Sequence, residues 1–75
     1  MSKKEKREQK IRENVKNVSL EDFEWLINQY GYIKAGSNHS LAIIGLRTYP
    51  YPRTNPLNQN YVKGILEIID SEADK

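Results

Sequence analysis

The chain has no cysteine, a single histidine and no long apolar run, and each shortage removes a class of function. Without cysteine, the disulfide staples of small secreted domains and any cysteine-based zinc site are excluded. One histidine and no dense Asp/Glu cluster argue against a dedicated metal cage, so neither a metal nor a cofactor is expected. The Lys/Arg-rich amino end is not followed by an apolar run of signal-peptide length, and no stretch approaches the roughly 20 apolar residues of a membrane span. The expectation is a soluble, cytoplasmic protein with no membrane partner. P-loop and dinucleotide fingerprints, internal repeats and a small-molecule cofactor site are likewise missing from the pattern.

What is present is 75 residues, 37% of them hydrophobic. That is enough for one small domain, which buries roughly 60% of the surface its unfolded chain exposes. The net charge of +2 is unevenly spread. Residues 1–16 hold seven cations against three carboxylates, a net +4, which leaves a net −2 for the rest. We therefore divide the chain into a basic extension over residues 1–17, partly helical or disordered, and a body over 18–75. Because its glutamates interleave with its lysines, the extension reads either as a solvated helix or as a contact for phosphate or an acidic partner.

Along the chain, Ile11, Val15 and Val18 form a narrow apolar stripe that predicts a helix from about Lys4 to Lys16, with the first few residues disordered. Ser19 can cap the next helix. Asp22 stands at the capping-box position, and Val18 and Phe23 form a hydrophobic staple. Leu20, Phe23, Leu26, Ile27 and Tyr30 share one face, so the helix runs from Leu20 to Tyr30, with Gly31 ending it in a left-handed conformation. Trp25 falls off this stripe and either seals the edge of the core or offers a partner surface.

The period then changes. Tyr32–Ala35 is a short strand, Gly36-Ser37-Asn38 a turn, and His39–Ile44 a second strand. After a turn at Gly45, Leu46–Tyr49 reads as a third strand, with Pro50 and Pro52 breaking the ladder. Residues 50–59 form an ordered loop. Asn58 or Asn60 opens a final helix carrying Tyr61, Val62, Ile65, Leu66 and Ile69, in which Gly64 marks close packing, and 70–75 is a polar tail. Helix, three antiparallel strands and helix, in that order, pack as an α+β sandwich with both helices on one face. Any chemistry falls to the segment Gly36–His39, the only place a histidine occurs.

The run Asn17-Val18-Ser19-Leu20-Glu21-Asp22-Phe23, then Tyr30-Gly31-Tyr32, Gly36-Ser37 with a histidine close behind, Pro52-Arg53-Thr54-Asn55-Pro56-Leu57 and Tyr61-Val62-Lys63 resembles the HicA toxin family. The likeness spans roughly residues 17–70. It implies a fold similar to double-stranded-RNA-binding domains, an mRNA interferase activity within a toxin-antitoxin module, and a HicB-like antitoxin as partner. The family pattern is Gly-Ser-His, whereas here it is Gly36-Ser37-Asn38-His39. Either His39 is the family histidine after one extra residue, or Asn38 has replaced it. Strand alternation makes that one-residue choice decide which sheet face the imidazole occupies.

Metal-independent RNA cleavage needs the 2′-hydroxyl deprotonated, the phosphorane charge offset and the leaving 5′-oxygen protonated. Histidine is suited to the proton transfers, which makes His39 the candidate catalytic residue. With one histidine, the second proton task falls to water, a tyrosine or a lysine. Lys34, Arg47 and Arg53 are candidates to hold the phosphate, with Ser37 and Asn38 as further RNA-binding residues. Tyr49 and Tyr51 either stack on bases or pack structurally. The alternative to a nuclease is a catalytically inactive RNA-binding or protein-interaction module on the same fold.

Overall fold

Two serines open two helices in the same manner. The Ser2 hydroxyl accepts from the Glu5 amide at 3.2 Å to start α1 (Lys3–Glu13), and the Ser19 hydroxyl accepts from the Asp22 amide at 3.1 Å to start α2 (Leu20–Tyr30). Each oxygen satisfies an amide that the helix itself leaves without a partner. The computed structural model describes residues 2–73, and it continues with β1 (Tyr32–Ala35), β2 (His39–Ile44), β3 (Arg47–Pro52) and α3 (Gln59–Ala73). The strands form one antiparallel sheet in the order β1-β2-β3, giving an α+β fold in which helices precede and follow the sheet.

Alternation along β2 divides the sheet into two faces. Ser40, Ala42 and Ile44 point inward and are buried, while His39 is exposed and Leu41 and Ile43 are half-buried on the other side. The inward face meets Phe23, Leu26 and Ile27 of α2 and Val62, Ile65, Leu66, Ile68 and Ile69 of α3, completed by Ile11, Val18, Tyr51 and Leu57. The rings of Phe23 and Tyr51 lie edge to face with centroids 4.8 Å apart. Trp25 packs against the margin of this core, as the sealing alternative requires, and the Arg7 guanidinium covers its ring at 4.5 Å from the centroid.

Several expectations need correction. The first helix ends at Glu13 and not Lys16, because Asn14 leaves helical geometry (φ −128°, ψ 54°) and Val15–Asn17 form one 3₁₀ turn. Order begins earlier than expected, at the Ser2 cap; Met1 lies outside the described residues. The prolines do not break the third strand, which runs through both to Pro52. Pro50 and Pro52 pair with Leu41 and His39, and β3 is an edge strand. At that parity the backbone nitrogens face outward, so the ladder loses nothing. The supposed polar tail is helical to Ala73, with Asp74 and Lys75 outside the described residues. Arg12 explains why Asp70 belongs to the body: its Nη2 and Nη1 reach the two Asp70 oxygens at 2.9 and 3.2 Å, and its Nε reaches Glu8 at 3.1 Å. This fork holds the Asp70 carboxyl below the usual carboxylate range.

Three glycines have separate reasons. Gly45, at φ 60°, takes the first place of the two-residue β2–β3 hairpin turn, where the backbone enters the left-handed region. Gly64 lies against the Tyr49 ring, as the close-packing expectation had it. Gly31 is not left-handed, contrary to expectation: its φ of −165° is open to any residue. Glycine is needed there because a Cβ would overlap the Ile43 backbone carbonyl.

The obstacle at Gly31 is backbone, which cannot swing aside. Gly31→Ala is expected to destabilise the fold by at least about 2 kcal/mol, lowering the thermal midpoint by roughly 8 °C or more in a circular-dichroism melt.

Candidate functional site

β2 begins at His39, whose cross-strand partner Pro52 lies on the same face, turned away from the helices. The helix-free face is built by alternation: Tyr32 and Lys34 from β1, His39, Leu41 and Ile43 from β2, and Thr48, Pro50 and Pro52 from β3. His39 is thus the residue that projects from the uncovered side, whereas Asn38 stays in the exposed turn before the strand. Lys34 pairs with Leu41, two residues from His39 on the same face. That diagonal places their Cα atoms about 7–8 Å apart, within reach of a flexible lysine.

The turn Gly36-Ser37-Asn38 is fixed from two sides. A Cβ at Gly36 would overlap the His39 carbonyl, so the chain closes tightly there, and Nη2 of Arg53 donates to the Gly36 carbonyl at 2.8 Å. Arg53 stands just beyond Pro52, and its bond ties the end of β3 to the turn that delivers His39. Ser37 and Asn38 are exposed beside it. The structure therefore brings His39, Lys34, Ser37, Asn38 and Arg53 to one end of the sheet.

Arg47 is not among them. It pairs with Ile44 at the opposite end of β2, five residues and about 17 Å from His39 along the strand. Its surroundings are a shallow hollow shared with Tyr49, Gly64, Glu67 and Ser71. One phosphate cannot be held by both.

Beneath the site, the cross-strand pair Ser40–Tyr51 is buried, and the Tyr51 hydroxyl donates to Glu24 Oε2 of α2 at 2.6 Å. Burial first, and then the bond to the Glu24 carboxylate, push the phenol well above its ordinary range; the Ser40 hydroxyl and the Arg53 charge act in the opposite direction. Tyr51 is accordingly a structural residue that locks β3 to α2. Tyr49 is half-buried against the core and edge-on to Tyr61, so of the two readings for these rings packing holds for both.

Two features were missed in the sequence. Tyr32, in the sequence only the first residue of a short strand, is 60% exposed on the same face as His39. Residues 31–58 contain no Asp or Glu at all; their charged side chains are Lys34, Arg47 and Arg53, so the sheet layer is +3. Every carboxylate side chain among the described residues sits on a helix. A stretch of that length without an acid, in a chain with ten, is legible in the sequence as a layer of net positive charge.

Arg53→Ala should leave the fold intact and raise amide hydrogen exchange selectively at Ser37 and Asn38, since only the tie to the turn is lost. Tyr51→Phe should cost about 1–3 kcal/mol in denaturant unfolding near neutral pH, because Glu24 loses its donor. Its effect also has a pH signature. A phenol raised on folding stabilises the protein fully below its unfolded value of 10.0, and that stability is lost as pH climbs toward the folded value. Wild type should therefore lose stability more steeply above pH 10 than Tyr51→Phe, with Tyr30 and Tyr49, also raised, leaving a residual slope in both. Comparison with protein-family models, with curated proteins and with solved structures finds no match to this chain, so the reading of its site rests on the residues and their placement.

Proposed function

We propose that this chain is a HicA-like endoribonuclease: a metal-independent mRNA interferase acting in the cytoplasm as the toxin of a toxin-antitoxin module, held inactive by a HicB-like antitoxin that covers the helix-free sheet face. The observation that carries this reading is the exposed His39 on that face with Lys34 diagonal to it. The order of helix, three antiparallel strands and helix supports the double-stranded-RNA-binding-domain-like scaffold that the resemblance implies.

In this mechanism His39 takes the proton from the 2′-hydroxyl. The 2′-oxygen attacks phosphorus, the bond to the 5′-oxygen breaks, and the products are a 2′,3′-cyclic phosphate and a 5′-hydroxyl. Lys34 offsets the charge on the pentacoordinate phosphorus. The proton for the leaving oxygen does not come from a buried tyrosine: Tyr51 is committed to Glu24 and Tyr49 lies on the helix-covered face. Water, Lys34 or the protonated His39 itself supplies it. Arg53 acts through the turn that leads into His39; Ser37 and Asn38, exposed in that turn, are proposed to meet the sugar-phosphate backbone.

The test is incubation of purified protein, freed of any antitoxin and with chelator present, with a long RNA. Cleavage yielding cyclic-phosphate ends is expected, with His39→Ala lowering the rate at least about 100-fold and Lys34→Ala at least about 10-fold. In cells, expression without the antitoxin should arrest growth, and His39→Ala should relieve the arrest. Full activity in His39→Ala would overturn the assignment. Intact RNA with salt-sensitive binding would instead favour an inactive RNA-binding module, the reading suggested by Asn38 where the family has histidine.

A further inference from the structure

Three large apolar side chains are exposed among the described residues: Tyr30, Leu46 and Tyr32. Tyr30 is tied through its hydroxyl to Glu8, and Leu46 forms the tip of the hairpin remote from His39. Tyr32 differs from both. It stands on the helix-free face with 60% of its surface in water, pairs with the half-buried Ile43, and precedes Lys34 by two residues on the same face. No carboxylate lies anywhere in the sheet layer to repel a phosphate. From His39 the register steps across to Lys34 and on to Tyr32. Tyr32 and His39 are four residues apart along the strands and one strand apart sideways, roughly 14 Å. That is farther than one extended nucleotide reaches.

We propose that Tyr32 is a base-stacking subsite for single-stranded RNA, holding a nucleotide beyond the one whose phosphate is cut, with Lys34 on the backbone between them. The proposal rests on the nuclease reading above and adds a substrate-positioning residue to it. An aromatic ring on an open sheet stacks any unpaired base, and the adjoining Ile43 extends the apolar floor. A duplex fits the face poorly. Its bases are not free to stack, and phosphate ridges call for a row of cations where this face offers Lys34 beside His39. The occupant is therefore an unpaired strand, running along β1 and onto β2 with its phosphates toward Lys34 and His39.

The experiment uses full-length protein carrying His39→Ala, so that RNA survives, and a fluorescent single-stranded oligoribonucleotide of roughly twelve nucleotides read by anisotropy. Adding Tyr32→Ala should weaken binding roughly 5- to 100-fold, whereas Tyr32→Phe retains it. The salt slope should be unchanged by Tyr32→Ala and reduced by Lys34→Ala. Placing an abasic sugar at each position in turn should reveal one site at which Tyr32→Ala no longer matters. The same sequence as a duplex should be insensitive to Tyr32. Affinity for the single strand within about twofold after Tyr32→Ala, or an equal loss with Tyr32→Phe, overturns the proposal. So does a Tyr32 that matters only for capture of a protein partner. The two readings fail separately. Tyr32-dependent binding without cleavage by wild-type protein sinks the nuclease and leaves the subsite, and cleavage indifferent to Tyr32 does the reverse.

Discussion

The register of β2 is the constraint on which the rest of this structure depends. A strand that slips by one residue exchanges its faces. Here a slip would carry His39 beneath the helices and lift Ala42 and Ile44 into water, so fold and site would be lost together. Three local features hold the register against such a slip. Gly31 lets the end of α2 cross the Ile43 carbonyl without a side chain in between. Gly45 closes a hairpin of two residues, the tightest connection two antiparallel strands allow. Pro50 and Pro52 can sit only where their nitrogens face outward, so a one-residue shift would place two prolines in the hydrogen-bonded ladder. Tyr51 adds a tether from below, its phenol fastened to Glu24 while its ring packs on Phe23.

Charge is divided along the same two layers. Among the described residues the helices carry the carboxylate side chains and most of the cations that answer them, in the Arg7–Asp22 pair at 2.8 Å and the Glu8–Arg12–Asp70 cluster. These pairs are partly exposed, and each contributes little to stability. Their consequence is geometric. They commit both arginines of α1 to the body, while Ile11 enters the common core, so the basic extension is a docked helix and not a free arm. The sheet layer has no acid of its own: Lys34 stands on the uncovered face, Arg53 holds a backbone carbonyl, and Arg47 shares a hollow with Glu67 of α3.

Much of this was legible in the residues. The serine cap, the staple and the apolar face of Leu20–Tyr30 named α2 to the residue, because there local chemistry and tertiary burial agree. The change from helical to strand period after Gly31 located β1 and β2 equally well. What failed was context. Proline reads as a strand breaker until one knows that β3 is an edge, and edge status is a property of the assembled sheet. The persistence of α3 past Asp70 depends on Arg12, 58 positions away in sequence. At the site, spacing alone left His39 and Asn38 as alternatives for the family histidine; pairing with β3 puts His39 on the helix-free face and leaves Asn38 in the turn before it. Arg47 and Arg53 looked equivalent as cations near β3. Only the register shows that one ends up at the far hairpin and the other at the turn.

In the nuclease proposed above, a single histidine and one nearby lysine bound what the chemistry can be. Positioned proton transfer contributes about 10²- to 10⁴-fold, and one well-placed charge donor about 10²- to 10³-fold. The remainder must come from holding the strand so that its 2′-oxygen lies in line with the bond that breaks, a demand on geometry. An open sheet face encloses nothing. A substrate lying on it is held in place by contacts spread along its length, and the exposed ring of Tyr32, the ammonium of Lys34 and the turn clasped by Arg53 lie on or beside the path to His39. In the proposed nuclease, with so few reacting groups, orientation by flanking nucleotides would carry the larger share of catalysis. It follows that truncating the RNA on the Tyr32 side should depress turnover and not affinity alone, because remote binding energy is what pays for alignment at the phosphate.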